Sequence, residues 1–82
     1  MTITNFKLVE TRNPTESKTD ILFIATVDIK TGFLFWSKTK TRMIAKRYID
    51  AHWRFLDTGG FTPNHQVEDL AWIYGIKNNI QL

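Results

Sequence analysis

Cysteine is absent from this chain, so neither a disulfide staple nor thiolate chemistry is open to it, and the redox compartment stays undetermined. Serine occurs only at Ser17 and Ser37, and neither sits in the Gly-x-Ser-x-Gly turn that exposes a hydrolase nucleophile. Four glycines are too few and too scattered for a phosphate cradle: neither Gly-x-x-x-x-Gly-Lys nor Gly-x-Gly-x-x-Gly occurs. The longest mainly apolar run, Ile21 to Val27, is far too short to span a bilayer. Residues Met1 to Lys7 lack a basic segment leading into a long apolar one, so no secretory signal is expected and a cytoplasmic location in the host cell is. No repeat, low-complexity stretch or linker interrupts the chain.

What is present is aromatic and basic. The 82 residues set the scale of one domain, close to the size at which a single core only just suffices. Three Trp and six Phe answer that constraint, since each large aromatic buries about 150–250 Å². Net charge is +3, yet six basic residues (Lys38, Lys40, Arg42, Lys46, Arg47, Arg54) against one acid, Asp50, crowd the stretch from 38 to 54. That asymmetry points to a polyanion or an acidic protein surface as partner. It is equally what an edge strand guarded by lysine against aggregation carries.

The pattern predicts an α+β domain: an antiparallel sheet of three to four strands with a C-terminal helix packed on one face. Thr2 to Glu10, with Ile3, Phe6 and Leu8, reads as a strand with imperfect alternation. Arg12 to Asp20 reads as a polar, mobile loop in which Pro14 excludes a ladder. In Ile21 to Lys30 the residues Ile21, Phe23, Ala25, Val27 and Ile29 share one face, with Leu22 and Ile24 on the other. Thr31-Gly32 then turns the chain into a strand from Phe33. The favoured register uses a three-residue loop. It sets Phe35, Ser37, Thr39, Thr41 and Met43 on the apolar face and leaves Lys38, Lys40 and Arg42 pointing outward beside Trp36.

Beyond it, a third strand to about Ala45, a turn at Tyr48-Ile49-Asp50 and a short strand from His52 to Leu56 are expected. A helix over Arg42 to Phe55 remains the alternative, because Ile44, Tyr48, Ala51 and Phe55 also follow helical spacing. Asp57-Thr58-Gly59-Gly60 marks a chain reversal. A helix follows, with Thr62 as N-cap and Pro63 in its first position. It runs to about Tyr74 with Val67, Leu70, Ala71 and Tyr74 as its buried stripe, and Gly75 is read as the residue after its end.

No catalytic or metal constellation emerges, and no cofactor is implied. Leu56-Asp57-Thr58-Gly59 matches the Asp-Thr-Gly of aspartic proteases, which work as pairs sharing a proton. Only 23 residues follow Gly59, too few for the flap and strands such an enzyme needs, so Asp57 reads as a turn residue bonding backbone amides. His65 and Asp69 stand one helical turn apart, but His52 lies elsewhere and a metal wants three or four ligands.

Two non-enzymatic readings remain. The first is association with a protein, a second copy or another partner, through an uncovered apolar sheet face carrying Leu22, Ile24, Leu34 and Trp36. The second is nucleic-acid binding, with Trp36 stacking on bases while Lys38, Lys40, Arg42 and Arg47 track phosphates.

The run Trp53-Arg54-Phe55-x-Asp57-Thr58-Gly59-x-Phe61-Thr62-Pro63, followed by Gln66, Glu68 and Leu70, resembles the C-terminal half of short uncharacterised proteins encoded in bacteriophages and prophages. That group brings no catalytic residues to carry over. The resemblance implies an accessory protein that binds a host or phage component.

Overall fold

A computed structural model describes residues 2–13, 15–17, 20–32, 34–80 and 82, apart from the side chain of Leu34. The expectations attached to Pro14 and to Phe33 itself lie outside the described residues, and the strand expected from Phe33 begins only at Lys38, after a 3-10 turn over Leu34–Trp36.

The chain forms strands β1 (Thr2–Arg12) and β2 (Leu22–Thr31), a 3-10 turn (Leu34–Trp36), strands β3 (Lys38–Arg47) and β4 (Arg54–Phe55), and helix α1 (Asn64–Asn78). The strands make one antiparallel sheet in the order β1-β2-β3-β4, and α1 packs on one face of it, chiefly over β1. This is the expected α+β architecture. The stretch from 42 to 55 is strand, turn and strand, not helix.

The imperfect alternation of β1 has a physical cause. Its register against β2 slips twice, between Thr4 and Lys7 and again between Leu8 and Glu10. Each slip inserts an unpaired residue and resets which side chains face inward. Asn5 sits at the first with φ 55°, a left-handed conformation that asparagine tolerates better than most residues. Ile3 and Phe6 therefore both point to the core although three residues separate them, and half-buried Leu8 packs against the same cluster.

That core lies between the sheet and α1 and comprises Ile3, Phe6, Phe23, Ala25, Val27, Ile29, Ile44, Trp53, Val67 and Ala71. Leu70 and Tyr74, half-buried, complete the helix stripe read from the sequence. Trp53 is its largest fully buried side chain. The Phe6 ring stands edge-on between the rings of Trp53 and Tyr74, at 5.3 and 5.4 Å between centroids.

The β2–β3 register differs from the favoured one. Val27 pairs with Arg42, Ala25 with Ile44 and Phe23 with Lys46, so Lys38, Lys40 and Arg42 stand on the face of Val27 and Ile29. Thr39, Thr41 and Met43 occupy the opposite, open face. Ile44 decides the matter: it alone in β3 is fully buried, across from Ala25, where the expected register would have set Thr39 and turned Ile44 to the open face. The loop consequently runs from Gly32 to Ser37, closed by the pair Thr31–Lys38. Gly32, at φ 97°, is required there, because a Cβ would stand 2.4 Å from the Trp36 carbonyl oxygen.

The start and end of α1 also differ from expectation. Pro63 is the N-cap residue and no side chain caps the helix. Thr62 is turned inward, its hydroxyl donating to the Trp53 carbonyl at 3.0 Å. Asn64 accepts from the Trp53 N–H at 3.0 Å and donates to the Ala51 carbonyl at 3.1 Å. Both side chains thus stitch the helix start to the Trp53 segment. At the other end Gly75 lies inside the helix, and Asn79 takes the left-handed C-terminal position. The Ile80 and Asn79 N–H groups return to the carbonyls of Gly75 and Ile76, a Schellman ending one turn later than expected.

Candidate interaction surface

α1 covers the β1 side of its sheet face, and the Trp53–Phe55 segment covers the far half of β3. The near half, Lys38 to Thr41, is left bare: all four residues are exposed. Beside them the loop carries the two most exposed aromatic side chains of the described residues, Phe35 at 95% and Trp36 at 75%. Trp36 belongs to the 3-10 turn and not to a sheet face.

The residues expected to form an apolar sheet face are therefore not brought together. Ile24 is 1% exposed, and Leu22 is half-buried between Arg12 and Arg47, its neighbours on β1 and β3. The Leu34 side chain lies outside the described residues. What the structure does gather is Phe35 and Trp36 with exposed Lys30, Lys38 and Lys40, an aromatic tip with a basic collar.

Arg42 is not part of that collar. Its guanidinium donates to the Asp57 carboxylate at 2.8 Å and lies over the Phe55 ring, 4.1 Å from the centroid. Chiefly through that hydrogen bond, Arg42 holds the Asp57 carboxyl below the ordinary aspartate range. Asp57 was expected to bond backbone amides; those contacts exist but are secondary to Arg42. Arg47 sits at the opposite end of β3, exposed on the open face, away from Trp36.

The turn that presents Asp57 is a tight hairpin. Phe55 donates to the Gly60 carbonyl and Gly59 to the Phe55 carbonyl, both at 2.8 Å, and Arg54 bridges to Phe61. Gly59 supplies the positive φ of 71° that the reversal needs. Arg54 lies over the exposed Phe61 ring at 4.7 Å, with the His52 ring edge-on to it at 5.6 Å.

Elsewhere on the surface, Lys46 extends along the Trp53 ring and donates to the Asp50 carbonyl. Burial lowers its pKa, with the carboxylates of Asp50 and Glu68 opposing. On the open face Asp28 accepts from Asn5 at 2.8 Å and from Thr41 at 2.6 Å; these bonds, Asn5 first, lower its pKa. The outer side of α1 exposes Trp72, Ile73 and Ile76, an apolar group off the buried stripe whose i, i+1, i+4 spacing is legible in the sequence. Among the described residues no three His, Asp or Glu side chains gather as a metal would require, and no helix is long and apolar enough to cross a membrane.

Comparison of the chain with protein-family models, curated proteins and solved structures gave no match.

Proposed function

We propose that this protein is a small non-enzymatic binding protein that acts by protein–protein association. The observation that carries the reading is the exposure of Phe35 and Trp36 together at the tip of the β2–β3 hairpin. Such rings cost solvation when left in water and recur as anchors at interface centres. Nothing in the core depends on them, so their presence at the tip calls for a use outside the fold. The resemblance of the Trp53 to Leu70 segment to phage-encoded proteins supports an accessory role of this kind, in the cytoplasm of a host cell. The interacting surface in this reading is the hairpin tip in place of the sheet face.

Association is tested by light scattering coupled to gel filtration over a range of concentrations, and by cross-linking to partners, with Phe35→Ala/Trp36→Ala as the comparison. The expected outcome is self-association or a retained partner that the double variant loses while its unfolding curve is unchanged. A strict monomer that retains no partner would overturn the reading.

Nucleic-acid binding is the second reading, favoured by Lys30, Lys38 and Lys40 around the same rings. It loses Arg42 to Asp57 and Arg47 to the far end of β3. Binding to labelled single-stranded and duplex DNA and RNA at two salt concentrations tests it. Two or three phosphate contacts at the collar would give a salt dependence that Lys38→Glu/Lys40→Glu abolishes.

A further inference from the structure

We propose that the free edge of β3, from Lys38 to Arg42, receives an extended acidic segment of a partner protein by strand addition. The inference rests on the association reading and names the chemistry of the partner.

Leu56 donates its N–H to the Met43 carbonyl, so Met43 turns its hydrogen-bonding groups towards β4. Along an antiparallel strand these directions alternate, so Thr41 and Thr39 turn their N–H and C=O groups the same way. β4 ends at Phe55, and the Asp57–Gly60 turn carries the chain back before it reaches them. Among the described residues no strand pairs with Thr39 or Thr41 on that side. Their backbone groups form an open template.

The two sheet edges are not equivalent. β1 carries two register breaks and left-handed Asn5, which twist an edge away from pairing. The β2–β3 register runs unbroken from Leu22–Arg47 to Thr31–Lys38, and β3 has no proline. Its guards are the alternating Lys38 and Lys40 on one face. A second copy pairing β3 to β3 would set these lysines against their own kind, which is destabilising. A strand with Glu or Asp at alternate positions meets them favourably, so the lysines select the partner's charge. Thr39 and Thr41, on the other face, suit small or β-branched residues opposite.

Both ends of the edge supply apolar contact. Phe35 and Trp36 flank the Lys38 end, and half-exposed Met43 and Leu56 line a groove with Lys40, Thr41, Arg42 and Asp57 at the other. The Arg42–Asp57 pair neutralises that end, which confines the demand for acid to the two lysines.

The test uses a fluorescein-labelled synthetic peptide alternating Glu and Thr, a Lys–Thr counterpart, a Glu–Thr peptide N-methylated at alternate amides, and single-stranded oligothymidylate. Saturable binding of the Glu–Thr peptide alone is expected, weakening with salt, with slowed exchange of the Thr39 and Thr41 amides in the complex. Lys38→Glu/Lys40→Glu weakens that binding by about tenfold or more. Thr39→Pro removes an outward N–H that β2 does not use, so it blocks binding while the fold, checked by circular dichroism, persists.

Equal binding of the N-methylated peptide, or no protection of Thr39 and Thr41, would overturn strand addition. Oligothymidylate binding in place of the peptide would overturn it in favour of nucleic acid, and a dimer that Thr39→Pro dissociates would overturn it in favour of a second copy. Failure of the peptide beside intact association through Phe35 and Trp36 sinks this inference alone. Failure of both sinks the association reading.

Discussion

Arg42 reaches from the centre of β3 to the carboxylate of Asp57, 2.8 Å away, and so fastens the Asp-Thr-Gly-Gly turn to the sheet. The pair explains two things that the sequence leaves open. It takes Arg42 out of the basic surface, and it gives Asp57 a structural task in a motif that otherwise suggests proteolysis. The Phe55 ring beneath the guanidinium makes the contact directional, since a cation over a ring face adds about 0.5–1 kcal/mol at a partly exposed site.

The Arg42–Asp57 pair makes stability depend on acid. The Asp57 carboxyl has a lowered pKa in the folded chain, so its contribution is present above the ordinary aspartate value and is lost as pH falls through the folded one. Asp28, lowered by Asn5 and Thr41, acts in the same direction. Asp57→Asn is expected to destabilise at neutral pH and to converge on the wild type only in acid below the lowered folded value, where both are uncharged at that site. Arg42→Ala costs more, about 1 kcal/mol, because the stacking on Phe55 goes too. Urea titrations at neutral and acid pH check both; a constant gap between Asp57→Asn and wild type across pH would refute the linkage.

Trp53 organises the core through its backbone as much as its ring. The ring packs on Phe6, the N–H is taken by Asn64, and the carbonyl receives both the N–H and the hydroxyl of Thr62. Trp53→Ala is expected to cost about 3–5 kcal/mol, as for other buried Trp truncations. For a domain whose whole stability is about 5–15 kcal/mol, that approaches global unfolding. Denaturant melts followed by far-ultraviolet circular dichroism measure it, and a loss under about 1 kcal/mol would show that the ring is not the keystone of the core.

Asn64 separates its two bonds cleanly. Asn64→Ala strands the part-buried N–H of Trp53 and leaves the exposed carbonyl of Ala51 to water, with an expected cost of about 1–3 kcal/mol, chiefly from Trp53. Asn64→Asp keeps the acceptor for Trp53, loses the donor to Ala51, and adds a negative charge at the helix start, where the dipole favours it. The Asp variant is therefore expected to lie between wild type and Ala. Thermal melts of the three proteins give the order, and an Asp variant as unstable as Ala would mean that the Ala51 bond dominates.

The architecture was legible because hydrophobic period is a local property. Phe23, Ala25, Val27 and Ile29 announce β2, and Val67, Leu70, Ala71 and Tyr74 announce the buried side of α1. Register was not legible, because it depends on which of two adjacent residues, Met43 or Ile44, turns to the core face, and only the pairing with β2 defines that. A six-residue loop is also no easier to infer from Thr31-Gly32 than a three-residue one. The helix ends were missed because Thr62 and Gly75 have alternative uses: the hydroxyl turns to Trp53, and the glycine serves close approach instead of left-handed geometry. The candidate surface shared that fate, since Trp36 leaves the strand as soon as the loop lengthens.

Gly75 offers the sharpest opposition between local propensity and tertiary contact. In a helix interior Gly→Ala ordinarily gains about 1 kcal/mol. Here an added Cβ would stand 2.6 Å from the Ile80 carbonyl oxygen, a backbone atom held where it is by the Ile80 N–H bond of 2.9 Å to the Gly75 carbonyl. Relief requires the Schellman turn at Asn79 to open, which also draws Leu82 from its place against the core. Gly75→Ala is therefore expected to lower stability by about 1 kcal/mol in spite of the propensity gain, and to speed amide exchange at Ile80. Asn79→Gly, which keeps the turn and relieves its left-handed residue, is expected to raise the melting temperature slightly. A stabilised Gly75→Ala with unchanged exchange at Ile80 would mean that the chain after Asn79 does not fold back on the helix.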